Sequence, residues 1–233
     1  MKRVAMVLAA FDADIVCLQE VENRALLEQF VAEHLPDMGY EVVLFEGNDS
    51  RGIDVALLSR LPIKAVTSYR HLRFIDSEGV VQQFRRDLLR VSIGGNLEAA
   101  VYVVHFKSQW GDHASDVIRE SESAALLGVV QQELARNPGY RAVIAGDFNE
   151  VPDMPTLQKL RAGGLVDPML GTDKYSYNRE PYLTRIDFAM CTASLAETIK
   201  SAEIVDKSPV AGVKLEDASD HYPLVVFFAS AGR

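Results

Sequence analysis

RAVIAGDFNE, Arg141 to Glu150, is the stretch on which the reading of this chain turns. Ala142 to Ala145 is an unbroken apolar run, as expected of a strand covered on both faces of a sheet. It ends in Gly146, Asp147, Phe148 and Asn149. Gly, Asp and Asn are turn formers, so one reading is an ordinary loop. The other is a functional tip, because an acid and an amide at the mouth of a buried strand are expensive without a purpose. The same grammar recurs along the chain. DADIVCLQE ends in Gln19 and Glu20, AAVYVVHF carries His105 near its end, RIDFAM opens around Asp187, and SDHYPLVVF sets Asp220 and His221 ahead of an apolar run. If these strands lie side by side, their polar tips converge at one end of the sheets, where ligand sites of α/β proteins form.

Helical patterns separate the strands. NRALLEQFVAEHL has apolar spacings of three and four and opens with Asn23, a good N-cap. KRVAMVLAA reads as an amphipathic helix at the N-terminus, although Lys2, Arg3 and a short apolar run imitate a signal peptide. SDVIRESESAALLGVVQQELARN is the longest helix, and MPTLQKLRAGG is a short one closed by glycines. VALLSR and FRRDLLRVSI are strand-like. The 233 residues, 48% hydrophobic and 24% charged, exclude disorder and a coiled coil and fit a single domain over residues 1–233. A net charge of −9 excludes a binder that works by bulk positive charge, though not a nuclease with a local basic patch. Cys17 and Cys191 sit in apolar runs and read as small buried hydrophobes. No apolar stretch reaches the roughly 18 residues of a membrane span.

A buried Asp187 needs a partner, and His221 is a suitable one: a carboxylate on an imidazole sets its tautomer and stabilises its cation. Taken together, the ordered set LQE, HFKS, GDFN, RIDF and SDHYP closely resembles the endonuclease/exonuclease/phosphatase family, from about Val4 to Phe228. The resemblance implies the deoxyribonuclease-I-like fold, a four-layer α/β sandwich of two packed, mostly antiparallel sheets flanked by helices. It also implies a Mg²⁺ or Mn²⁺ cofactor, and oxygen ligands suit those hard ions. By the same resemblance Glu20 is the metal-binding glutamate and Asp220 a second, metal-linked carboxylate. Asp147 is the acid that orients or deprotonates the attacking water, with Asn149 beside it holding water or a phosphate oxygen. Asp187 and His221 form the pair beside the phosphate. His105 matches members with a His at this strand end, and Asp54 is the acid expected to pair with it. Arg86 resembles an arginine that contacts phosphate, its alternative being a salt bridge with Asp87. Lys107 is a further phosphate-binding candidate.

The expected activity is divalent-metal-dependent hydrolysis of phosphodiesters, nuclease-like, with nucleic acid as a candidate partner and a monomer as the expected state. A phosphatase or a sphingomyelinase-like lipid phosphodiesterase is the alternative within the fold, and an inactive binding module is the alternative of another class. Trp110, after HFKSQ, is a candidate platform for a base or a headgroup. Arg70, Arg73, Arg85 and Arg86 form either a local basic patch or the solvated face of a hairpin. Family members begin with a strand carrying an Asn, in segments resembling YNVEN. Here Met1 already lies in the first helix, so that strand and its Asn are expected to be missing, with weak activity or marginal solubility as the consequence. Asn23, beyond Glu20, cannot replace it. On this reading the location is cytoplasmic if Met1 is the start and secreted if a segment precedes it.

Overall fold

The structure, a computed structural model, describes residues 1–109, 111 and 113–230, so Trp110 lies outside the described residues. Helix α1 (Lys2–Phe11) feeds β1 (Ile15–Val21), followed by α2 (Arg24–His34), β2 (Glu41–Leu44), β3 (Asp54–Ser59) and β4 (Ile63–Ser68). A small hairpin, β5 (Phe74–Ile75) and β6 (Val81–Gln82), precedes β7 (Leu89–Ile93), β8 (Ala99–His105) and the long α3 (His113–Arg136). The chain continues through β9 (Ala142–Asp147), α4 (Pro155–Ala162), β10 (Leu165–Val166), β11 (Asp187–Thr192), α5 (Ala193–Ala196), β12 (Ile199–Ile204) and β13 (Leu224–Phe228).

Six strands form one sheet in the order β10-β11-β9-β8-β7-β4, antiparallel except for the parallel pair β8–β9. The period of two along each strand sorts its residues between two cores. Val91, Val101, Val103, Val143 and Ala189 face inward and meet Val55 and Leu57 of β3. Tyr102, Val104, Ile144, Phe188 and Met190 face outward, under Leu126 and Val130 of α3 and Leu157 and Leu160 of α4. On the opposite side Ala56 and Leu58 of β3 lie under Ala5 of α1 and Leu27, Phe30 and Val31 of α2. Helix, sheet, sheet and helix thus stack as the expected four layers. Leu126 and Leu157 are fully buried, so truncating either to Ala removes about 2–5 kcal/mol.

The same alternation positions the polar tips. His105, Asp147 and Asp187 share the parity of Val103, Val143 and Ala189, and therefore face inward, toward the other sheet. Register completes the arrangement: His105 lies opposite Asp147 in the parallel pair, and Asp187 lies opposite Asp147 in the antiparallel one. In β1, Ile15 and Cys17 face the inner core while Val16 and Leu18 face the helices. Simple alternation would then turn Glu20 under the helices. Instead the ladder with β3 shifts between Leu18 and Val21, and Glu20 adopts φ 58°. A bulge of this kind re-aims a side chain, and Glu20 is exposed.

One expectation needs adjustment. FRRDLLRVSI is a strand only from Leu89. Ahead of it, Asp87 accepts the Tyr69 N–H at 2.8 Å and Arg86 donates to the Phe106 carbonyl at 3.2 Å, so these residues tie loops together rather than extend the ladder. Among the described residues the smaller layer is two ladders, β1-β3-β2 and β12-β13. The Asn23 cap is present: its side chain accepts the Leu26 N–H at 2.8 Å. Asn23→Ala is expected to lower stability by about 1 kcal/mol, measured by urea unfolding.

Candidate active site

Asp187 opens β11 with its backbone N–H donating to Ser176 Oγ at 3.0 Å; the same hydroxyl oxygen accepts the Ile186 N–H at 3.1 Å. Ser176 is wholly buried and so anchors the strand start. The Asp187 carboxylate meets His221 Nδ1 at 2.7 Å, the pairing expected from sequence. Tyr177 pairs by a β-bridge with His221 and sets its ring edge-on to the imidazole, 5.2 Å between centroids. Burial alone would discharge His221. The hydrogen bond to Asp187 and the charges of Asp187, Asp147 and Asp220 outweigh it and push the imidazole up to about 9. His221 is therefore a cation at neutral pH.

Asp147 faces this pair from β9. Its Oδ1 accepts the Asn149 N–H at 2.7 Å and its Oδ2 accepts Asn149 Nδ2 at 3.1 Å. Asn149 holds φ 49° and also donates to the Phe106 carbonyl at 3.0 Å. A non-glycine residue in this left-handed region is uncommon, and the three contacts over-determine it. Gly146 ahead of it has φ 141°, and a Cβ there would lie 2.1 Å from the Val104 carbonyl oxygen, so no other residue fits. Burial, then the charge of Asp187, raises the Asp147 carboxyl well above the usual carboxylate range. His105 Nε2 lies 3.5 Å from Asp147 Oδ2. Burial, then Arg86, His221 and Arg51, drive His105 down to about 3, so its ring is neutral.

The expected Asp54–His105 pair is not made. Asp54 is buried, but its Oδ1 accepts the Gly47 N–H at 2.6 Å, and this bond turns the carboxylate toward the loop before β3. Arg86 is also buried, and its carboxylate neighbour is Asp49, with Nε 3.2 Å from Oδ2, rather than Asp87. That contact is within ion-pair distance but misaligned for a hydrogen bond. Asp49 also pairs with Arg51. Burial works against its charge, but bonds from Arg51 and the charges of Arg86 and Arg51 bring it to about 2. Lys107 is half-buried, with Nζ 3.3 Å from the Ser108 carbonyl; burial and the neighbouring Arg86 and Arg119 lower its pKa. Asp220 is exposed beside His221, its backbone carbonyl accepting the Asn178 N–H at 2.9 Å.

The arrangement sets a buried acid with an amide beside it against an imidazolium, with a neutral imidazole and a buried guanidinium at the rear. The sequence profile of the endonuclease/exonuclease/phosphatase family matches residues 1–221. The chain belongs to that family. The chemistry it shares with the family is hydrolysis of phosphoric esters. Solved structures agree in fold. The 3' phosphatase NExo from Neisseria, bound to a product DNA hairpin, superposes with a TM-score of 0.72 at 21% identity, covering 97% of this chain and 93% of that one. An AP endonuclease from Archaeoglobus fulgidus gives 0.66 at 22% identity, covering 97% and 92%. The human Nocturnin catalytic domain with a bound sulfate anion gives 0.72 at 18% identity, covering 98% and 85%. No curated protein matches the chain.

In this member of the family, α3 supports the site in a way its sequence pattern concealed. Glu122 is almost wholly buried, and its two carboxylate oxygens accept the Arg85 and Lys107 N–H groups, each at 2.7 Å. One helical turn earlier Arg119, equally buried, donates to the Lys107 carbonyl at 3.3 Å and to Glu150 Oε2 at 2.9 Å. Lys107 is thereby gripped at both its N–H and its C=O. The Phe106 carbonyl beside it, which accepts from Arg86 and Asn149, is held in place. Burial outweighs both N–H donors and pushes Glu122 up to about 7. The spacing of three between Arg119 and Glu122 was a visible signal, but such pairs are more often solvated. Glu122→Gln sets an amide N–H against a backbone N–H. It is expected to lower stability by about 1–3 kcal/mol and to raise KM for a phosphodiester, read by thermal unfolding and steady-state kinetics.

Proposed function

We propose that the chain is a divalent-metal-dependent phosphodiesterase of nuclease type. The observation that carries this reading is the juxtaposition of an imidazolium, His221 held by Asp187 at 2.7 Å, with a buried acid of raised pKa, Asp147. A phosphodiester is an anion that a second anion must approach, so its oxygens need a fixed positive charge while the water needs a base. His221 supplies the charge at the non-bridging oxygens. Asp147, poised nearer neutrality than an ordinary carboxylate, takes the proton of the attacking water, and Asn149 orients that water. Arg86 and the neutral His105 hold the phosphate from behind, with Lys107 at the edge.

Among the described residues no three His, Cys, Asp or Glu side chains gather as a closed cage. Mg²⁺ does not require one: it keeps several waters and binds through one or two carboxylates. Glu20 fits that role, because its bulge and positive φ set an exposed carboxylate outside the alternation of β1. Asp220 is the second candidate. When bound, the ion neutralises charge on the phosphate and its leaving oxygen. Glu20→Ala is expected to weaken binding of Mn²⁺, measured by isothermal titration, and to abolish metal-dependent hydrolysis. Unchanged metal affinity in that variant would remove Glu20 from the site. The activity itself is tested with Mg²⁺ or Mn²⁺ on single- and double-stranded DNA, RNA, sphingomyelin and a phosphomonoester. The reading requires turnover of a nucleic acid above that of the monoester and the lipid.

A further inference from the structure

We propose that the groove between the β5–β6 hairpin and residues 83–85 is a second phosphate site, which holds a backbone phosphate of a nucleic-acid strand whose scissile phosphate lies at Asp147 and His221. This deepens the phosphodiesterase reading and rests on it. The groove is a cavity of about 450 Å³ walled by Arg73, Arg85, Asn48, Gln82 and Gln83, with Phe84 among its lining residues. Two guanidinium forks are donors suited to phosphate oxygens; the amides shape the groove, with Asn48 Nδ2 donating to the Arg70 and Phe84 carbonyls, Gln82 Nε2 to Asp76 and Gln83 Nε2 to the Arg70 carbonyl. Among the described residues neither the Arg73 nor the Arg85 guanidinium forms an ion pair with a carboxylate; the Arg85 guanidinium donates to Gln82 Oε1 at 3.3 Å. The acids of the hairpin are engaged elsewhere. Asp76 accepts the Glu78 and Val80 N–H groups and Gln82 Nε2, and Glu78 lies 3.5 Å from His113 Nε2. In a chain of net charge −9 the positive field here is local.

The groove and the rear of the catalytic centre are built on the same two segments, residues 48–49 and 84–86. Asn48 donates its N–H to the Arg85 carbonyl at 3.1 Å and its Nδ2 to the Phe84 carbonyl at 3.0 Å. The next residue on each segment, Asp49 and Arg86, forms the ion pair at the rear of the site. Arg86 is turned inward and buried while Arg85 is exposed to the groove. A ligand with a single phosphate in the catalytic centre has nothing to offer the groove; a polymeric phosphodiester does. Val81, 58% exposed at the groove wall, and Val80 and Ile75 beside it give apolar surface for sugars and bases.

The test compares the protein with its Arg73→Ala/Arg85→Ala variant, with Arg73→Lys/Arg85→Lys as the charge-keeping control. Binding of a fluorescein-labelled 12-nucleotide single strand is followed by anisotropy in EDTA across a salt series, and hydrolysis of bis(4-nitrophenyl) phosphate reads the catalytic centre. The Ala variant is expected to bind the 12-mer about tenfold more weakly. Its salt slope should fall by about 0.7, the share of one phosphate on a single strand. Turnover of the small diester is expected to stay within about twofold, and the Lys control to retain most of the affinity. Unchanged affinity and slope, or no binding of the 12-mer by the unmodified protein, overturns the proposal. So does loss of affinity for phosphatidylserine vesicles with 12-mer binding intact, which would assign the groove to a membrane. Absence of any phosphodiester turnover in the unmodified protein sinks the proposed activity instead, while the anisotropy result still decides the groove.

Discussion

Asp187→Asn is expected to reduce phosphodiester turnover by about three orders of magnitude while the protein stays folded. The carboxylate sits 2.7 Å from His221 Nδ1 and heads the contributions that keep that imidazole charged against its own burial. An amide of the same shape keeps the packing but cannot stabilise the cation or hold one tautomer. The pH dependence has a definite sign. His221 titrates near 9 in the folded protein and at its ordinary 6.5 when unfolded. The stabilisation it contributes is complete below 6.5 and is lost as pH rises through 9. The variant should therefore be less stable than the parent below pH 6.5, with the difference fading toward pH 9. Thermal unfolding between pH 5.5 and 9.5, with an NMR titration of the His221 ring, checks both parts. An imidazole still titrating near 9 in the variant would show that Asp187 is not its partner in solution.

Asp147→Asn is expected to move activity and stability in opposite directions. Losing the proposed base is expected to lower the rate by about 10²–10⁴-fold. Stability should rise at pH 8, because the native residue must be ionised there while buried beside Asp187. A carboxyl whose folded pKa lies above its unfolded one supports folding below the unfolded value, and that support is lost as pH rises through the folded value. Asn does not titrate, so its advantage should be greatest at alkaline pH and disappear below about pH 4. Calorimetric melting of the two proteins across this range is the measurement. A variant melting below the parent at pH 8 would mean that the two bonds from Asn149 outweigh the buried charge. Such a trade between activity and stability is common where a site holds an uncomfortable charge.

Much of this site was legible before any coordinates. An apolar run that ends in a polar residue marks both a buried strand and its polar tip. For that reason His105, Asp147, Asp187 and His221 were found as a set, and the spacing of Gly146, Asp147 and Asn149 carried its own turn. Asn23 announced α2 because a cap acts through residues only three positions away. What the sequence could not decide were contacts closed by loops or made across layers. Asp54 was expected on His105, and the Gly47 N–H in the loop before β3 holds its carboxylate instead. Arg86 found Asp49 rather than its neighbour Asp87. Glu20 left the alternation of β1 only through a bulge. Ser176, Glu122 and Arg119 carried no local mark of their roles, since each acts on backbone groups far away in the chain. Local periodicity sets which way a strand residue faces; which buried donor meets which acceptor depends on how separate segments pack, and only the tertiary structure decides that.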